Sequence, residues 1–251
     1  MTATTPVQET DLEFDNGSFD SAAFAAEALS SWQALAAAID HTLLKPEATR
    51  AQVENLCNEA ARYRFACAMV NPVWASTAVS VLSGTKIPVG AVIGFPLGAS
   101  LVSTLRQEAT ALIRLGVREL DMVIPIGLLK SGNYLAVQST IRTVAKTAQG
   151  HGALLKVILE TALLNVAEKL RASEIAIQAG ADFIKTSTGF ASGGATAADV
   201  ALMRGVAGAR CGVKASGGIR ALADVKALLE AGANRIGASA SVAIVRELGA
   251  E

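Results

Sequence analysis

The chain is 251 residues long, 51% hydrophobic but only 4% aromatic, with 22 basic residues balanced by 22 acidic ones. This suits one large α/β domain with a core of Ala, Val, Ile and Leu. Zero net charge excludes general nucleic-acid or membrane-surface binding, which needs a basic excess. Cys57, Cys67 and Cys211 form no C-x-x-C pair, so free thiols in a reducing compartment are expected.

Residues 1–20 carry five acids (Glu9, Asp11, Glu13, Asp15, Asp20) and no base. Secretory signals need a positive start and transit peptides avoid acids, so this segment reads as a flexible acidic arm of a cytoplasmic protein. No apolar run approaches the ~20 residues of a membrane span. Residues 21–251 read as a single domain, opening with an Ala-rich helix over 21–37. Strand-like runs follow: "AAIDHTLL" (37–44), "FACAMVN" (65–71), "PVGAVIGF" (88–95) and "ELDMVIP" (119–125), then "LLKVILET" (154–161), "DFIKTSTG" (182–189), "GVKASGG" (212–218) and "RIGASA" (235–240). Between them, sets such as Val53, Leu56, Ala60 and Val137, Ile141, Val144, Ala148 step by three and four, as one helix face does. Apolar strands alternating with helices imply a covered parallel sheet. Eight units fit a (β/α)8 TIM barrel. An open doubly wound sheet would need a Gly-rich turn directly after an early strand, and none is evident.

Three segments share a frame: "LGVRELD" (115–121), "AGADFIK" (179–185) and "AGANRIG" (231–237). Each has glycine where a helix would end, then a strand. Five residues after that glycine stand Asp121, Lys185 and Gly237. Strand side chains alternate between lumen and helix layer. Ile184 suits the helix-facing side, so Lys185 points into the lumen.

Lys156, Lys185 and Lys214 all lie in apolar strands, as do Asp121 and Asp40. Isolated buried ion pairs add little stability, and perturbed charges gathered in one place point to chemistry. A lysine attacks a carbonyl only when neutral. A second ammonium in a poorly solvated site lowers its pKa, allowing a Schiff base near neutral pH. Asp121 is placed to shuttle protons through water. Such a set performs carbonyl chemistry without a metal or bound cofactor. "SGGIR" (216–220) and "GASAS" (237–241) follow strands 7 and 8, where barrels of this kind hold phosphate. Gly217, Gly218 and Gly237 expose backbone N–H groups, and Ser239 adds a hydroxyl. His41 and His151 lack metal-ligand spacing. His151 reads as a helix-end surface residue, and Cys67 and Cys211 as core.

The segments "IDHTLLKP" (39–46), "VIGFPLG" (92–98), "ELDMVI" (119–124), "ADFIKTSTG" (181–189) and "VKASGG" (213–218) resemble deoxyribose-phosphate aldolases, in order, from about residue 37 to 245. The resemblance implies a class I aldolase that cleaves 2-deoxy-D-ribose 5-phosphate reversibly to acetaldehyde and D-glyceraldehyde 3-phosphate. It implies that Lys185 forms the Schiff base, Lys214 is the tuning ammonium and Asp121 the proton relay. Gly217, Gly218, Gly237 and Ser239 fall where the family binds phosphate, while Asp40 and Thr188 fall on positions lining the site. The implied partners are a phosphorylated sugar and aldehydes, with a homodimer the common assembly. The chain departs from the pattern at Met69, where many members carry cysteine, and at Pro125, where many carry asparagine. It ends "RELGAE", without the tyrosine-bearing tail of some members. Two rival readings are a transaldolase-like Schiff-base enzyme acting on longer sugar phosphates and a phosphate-metabolite binding barrel without catalysis.

Overall fold

Eight short strands close into one parallel barrel in chain order. They are β1 (Ile39–Leu43), β2 (Cys67–Val70), β3 (Val89–Ile93), β4 (Glu119–Val123), β5 (Leu154–Ile158), β6 (Phe183–Lys185), β7 (Gly212–Ser216) and β8 (Arg235–Ala238). Each falls inside a run expected from the sequence, and each is shorter than that run. The excess residues at the C-terminal ends form the loops over the barrel mouth. The computed structural model describes residues 18–251. The greater part of the expected acidic arm, residues 1–17, lies outside the described residues.

The expected N-terminal helix is two helices, α1 (Ser21–Ala28) and α2 (Trp32–Ala36), each with its own side-chain cap: Asp20 accepts from Ala23 N and Ser31 from Ala34 N. Ser31 interrupts the Ala-rich run because its hydroxyl satisfies a free helix N–H better as a cap than within a helix. The outer layer continues with α3 (Arg50–Tyr63), α4 (Ala75–Val81), α5 (Val102–Leu115), α6 (Ile126–Lys130), α7 (Tyr134–Gln149), α8 (Val166–Gln178), α9 (Ala197–Ala207), α10 (Leu222–Glu230) and α11 (Ser241–Glu247). Val53, Leu56 and Ala60 of α3 are buried, as are Val137, Ile141, Val144 and Ala148 of α7. Pro125 caps the start of α6. None of the described helices is long and apolar enough to cross a membrane.

The three-segment echo has a backbone cause. Gly116, Gly180 and Gly232 follow α5, α8 and α10 with φ of 109°, 98° and 112°, a left-handed conformation that glycine adopts without a Cβ penalty. The turn then delivers each strand in the same phase, so Asp121, Lys185 and Gly237 all face inward while Leu120, Ile184 and Ile236 join the barrel–helix core. Inside the lumen, Met69, Cys67, Val92 and Leu44 form a separate apolar cluster with Phe95. Lower down, the Phe183 ring occupies the space left by Gly212, where a Cβ would come within 2.2 Å of ring carbons. Arg235 lies over that ring at 5.4 Å.

Candidate active site

Strand register assembles the charges. Lys185 is the partner of Lys214 across β6–β7, and Asp121 of Lys156 across β4–β5. Asp121 sits between the amines. Its Oδ2 accepts from Lys185 Nζ at 2.7 Å and Lys214 Nζ at 2.8 Å, and its Oδ1 from Lys156 Nζ at 2.9 Å. Lys156 also meets Glu119 at 2.5 Å and Asp40 at 3.3 Å. Lys214 and Arg235 divide the oxygens of Asp40, at 2.5 Å and 2.9 Å. All of these groups except Arg235 are buried.

Three carboxylates therefore face four basic groups. With every base charged the lumen holds one surplus positive charge, in surroundings that solvate charge poorly. Neutralising one amine removes the surplus. Burial pushes the Lys185 amine down from 10.5 to about 8, against the pull of Asp121 and with help from Lys214. At pH 7 its neutral fraction rises from about one in 3,000 to about one in ten. Lys156 moves the other way: burial would lower it, but Asp121, Asp40 and Glu119 outweigh that and hold it well above its ordinary value. Burial would likewise raise Asp121, yet Lys156, Lys185 and Lys214 keep it well below the usual carboxylate range. Asp121 thus stays ionised and Lys156 stays charged, while the Lys185 amine is able to shed a proton near neutrality.

Lys185 is also the one lumen lysine that reaches solvent-accessible space. A cavity of about 330 Å³ opens at the C-terminal end of the barrel, and its lining includes Lys185, Thr188, Gly217, Gly218, Gly237 and Ser239. Lys156, Lys214 and Asp121 lie behind it. Gly217 (φ 91°) is packed against the backbone of Gly194, whereas Gly218 (φ 78°) has open space where a Cβ would stand. Gly237 belongs to β8, and a Cβ there would come within 3.0 Å of Lys214 Cε, so this glycine leaves room for the second amine to reach Asp121. Thr188 lines the cavity but its side chain is committed: the hydroxyl donates to Glu160 and accepts from Phe190 N at 3.0 Å.

Asp40 is put by the resemblance among the residues lining the site. It does not line the cavity. It is wholly buried beneath Lys214, with both oxygens in ion pairs, because its strand position puts it one layer below the mouth. Glu119, Arg235 and Glu160 escaped the sequence reading altogether. Glu119 and Arg235 were legible in principle, since each stands two residues before an inward slot (Asp121, Gly237) on the same strand face. Glu160 sits in the turn after β5 with φ 58° and carries no sequence signal of its partnership with Thr188. Among the histidines, His151 is exposed at the end of α7 with Nδ1 3.0 Å from Thr147 O. His41 faces the helix layer, with Nε2 2.9 Å from Glu59.

Asp40, Cys67 and Glu119 bring three potential metal-ligand atoms within 4.8 Å of one another. The donor set does not suit a cation. Both carboxylates are already neutralised by Lys156, Lys214 and Arg235, and burial followed by Glu119 and Asp40 pushes the Cys67 thiol well up, away from the thiolate a metal needs.

The family model for DeoC/LacD family aldolases matches residues 34–247. The chain belongs to this family. Among its relatives, the deoxyribose-phosphate aldolase of Thermoanaerobacter sp. (strain X514) is 52% identical over 85% of this chain and 96% of that protein. The enzyme of the same name from Halalkalibacterium halodurans is 54% identical, over 85% and 95%. The structure of deoxyribose phosphate aldolase from Aeropyrum pernix, described as a tetramer, superposes with a TM-score of 0.84 at 35% identity, covering 91% of this chain and 96% of that one. The match starts just ahead of β1 and ends with α11, so it spans the whole barrel.

Proposed function

We propose that the protein cleaves 2-deoxy-D-ribose 5-phosphate reversibly to acetaldehyde and D-glyceraldehyde 3-phosphate through a Schiff base on Lys185. The observation that carries this reading is that, of three lysines sharing one carboxylate, only Lys185 lines the cavity, and it is also the one whose amine burial pushes down to about 8. Membership of the aldolase family and the names of its relatives support the substrate.

The neutral Lys185 amine attacks the C1 aldehyde of the open-chain sugar, and loss of water gives a protonated imine. A proton leaves the C3 hydroxyl, the C2–C3 bond breaks, and its electron pair moves into the imine to give an enamine. This releases glyceraldehyde 3-phosphate. The enamine takes a proton at C2, and water returns acetaldehyde and the free amine. Asp121 is the relay carboxylate, acting through water because it stands behind the cavity wall, and Lys214 lowers the pKa of Lys185 and supplies protons to that relay. The N–H groups at Gly217 and Gly218, with Ser239, hold the 5-phosphate, while Thr188 fixes the wall between phosphate and imine. The protonated imine draws the electrons of the breaking bond, which is the role a metal or cofactor would otherwise play.

The assembly we propose is a homodimer, supported by exposed Leu128, Leu135, Leu163 and Val166 around α6–α8. The compartment is the cytosol, supported by three free, buried thiols. The test of function is to supply 2-deoxyribose 5-phosphate and follow both products. Turnover of a longer sugar phosphate in its place would favour the transaldolase-like reading, and binding without turnover the non-catalytic one.

A further inference from the structure

Among the described residues, two of those lining the cavity carry charge, Lys185 and Lys45, and no carboxylate lines it. Lys185 is spoken for by the imine. Lys45 is exposed, and among the described residues it has no ion pair or side-chain hydrogen bond, with Glu47 two residues on included. Its backbone is nonetheless fixed. The Leu44 carbonyl accepts from Asn71 Nδ2 at 3.0 Å, the Lys45 carbonyl accepts from Ala48 N at 3.1 Å, and Pro46 follows. A flexible ammonium thus rises from a rigid root at the edge of the cavity.

Barrel order decides what it faces. Gly237 pairs with Ser216 of β7 on one side and with Asp40 of β1 on the other. The loops bearing Gly217 and Gly218, Ser239, and Lys45 therefore follow one another around a single arc of the mouth. The N–H groups of Gly217, Gly218 and Ser239 donate to no protein acceptor among the described residues. The loop after β6 contributes Gly189 and the ring of Phe190, which packs edge-on against Phe95 at 5.3 Å. Arg220, the next cation beyond the β7 glycines, is not among the cavity residues. One arc thus offers unspent neutral donors and one standing positive charge, flanked by the apolar Phe190 ring of the neighbouring β6 loop.

We propose that Lys45 is the specificity-determining cation of this site, pairing with the substrate's phosphate dianion from the β1 loop while the β7 and β8 loops supply neutral N–H donors. This rests on the sugar-phosphate reading above. An ammonium against a phosphate is a charge-assisted contact. On a flexible stem it adds attraction without rigid bidentate geometry, which suits a group that must let product leave. Lys45 follows β1, three strands around the barrel from Lys185 on β6, so its removal weakens capture of the phosphorylated substrate and leaves the imine steps alone.

The experiment compares wild type, Lys45→Met and Lys45→Arg on 2-deoxyribose 5-phosphate and on unphosphorylated 2-deoxyribose, at low ionic strength. Expected for Lys45→Met is a rise in KM of about 10- to 100-fold for the phosphorylated sugar, with kcat little changed and kcat/KM for the unphosphorylated sugar within about twofold. Lys45→Arg should recover most of the loss. Equal losses on both sugars, or no loss on either, would overturn the proposal. A second readout does not depend on turnover: millimolar inorganic phosphate should raise the Tm of wild type and not that of Lys45→Met. If wild type turns over neither sugar, the proposed function fails while this phosphate-induced shift still decides Lys45; a shift equal in both proteins would refute its role.

Discussion

Replacing Lys214 with methionine removes a positive charge from beside Lys185 while nearly preserving side-chain length. Both amines bond to the same Asp121 oxygen, at 2.7 Å and 2.8 Å, so the two nitrogens are at most about 5.5 Å apart. At an effective dielectric of about 20, two unit charges at that separation repel by about 3 kcal/mol, which corresponds to about two pH units. The lost charge also leaves Asp40 and Asp121 less neutralised, and that pulls in the same direction by favouring a charged Lys185. The reactive form is the neutral amine, so a higher pKa moves the acid limb of activity upward, from about 8 in wild type to about 10 in the variant. At pH 7 this alone slows Schiff-base formation about 100-fold, before any loss of the proton relay. The assay is kcat/KM for cleavage across pH 6–10, beside the rate at which borohydride traps the acetaldehyde imine on Lys185. Lys214→Arg, which keeps the charge, should leave the limb near its wild-type position. A Lys214→Met profile whose acid limb stays near pH 8 would refute the pairing, however slow the variant is.

Three further outcomes are expected. Lys156→Met strips Glu119 and Asp121 of a common, fully buried partner and should lower unfolding stability by about 3–5 kcal/mol; urea melts check this, and adding Glu119→Gln should restore part of it. Ser239→Asp places a negative charge against the proposed phosphate position and should raise KM for 2-deoxyribose 5-phosphate strongly while sparing the unphosphorylated sugar; equal responses to the two would remove Ser239 from the phosphate site. Met69 packs in the lumen with Leu44, which lines the cavity, and its thioether cannot form a stable neutral adduct with an unsaturated aldehyde held on Lys185. The neighbouring Cys67 thiol is pushed well up by burial and by Glu119 and Asp40, so the thiolate that would attack is suppressed. Wild type should therefore survive concentrated acetaldehyde longer than Met69→Cys, as residual activity and intact mass would show; equal decay, or a crosslink through Cys67, would count against this.

Much of the barrel was legible because its determinants are local. Eight apolar runs separated by helical patterns, and glycines at matching helix ends, fix both the element order and the phase of each strand. That phase told Lys185 from Ile184 and pointed the lysine inward. Depth was not legible. A period of two says which face a residue takes but not which layer it occupies around a closed, tilted barrel, so it does not show that Asp40 lies beneath Lys214. The same limit hid the full network, because the link from Glu119 through Lys156 to Asp121 depends on how β4 and β5 pair. Helix interruption at Ser31 was missed since alanine propensity dominates the window, and a single capping serine leaves a weak mark in it.

The central claim is that Lys185, alone among the lumen lysines, forms the imine. It is tested most directly by reducing the protein with borohydride in the presence of acetaldehyde and locating the adduct by peptide mass spectrometry. One ethyl group on Lys185, absent without acetaldehyde and suppressed as pH falls below about 7, is the result expected of an amine held near 8. An adduct on Lys214 or Lys156, or none on Lys185 at any pH, would contradict it.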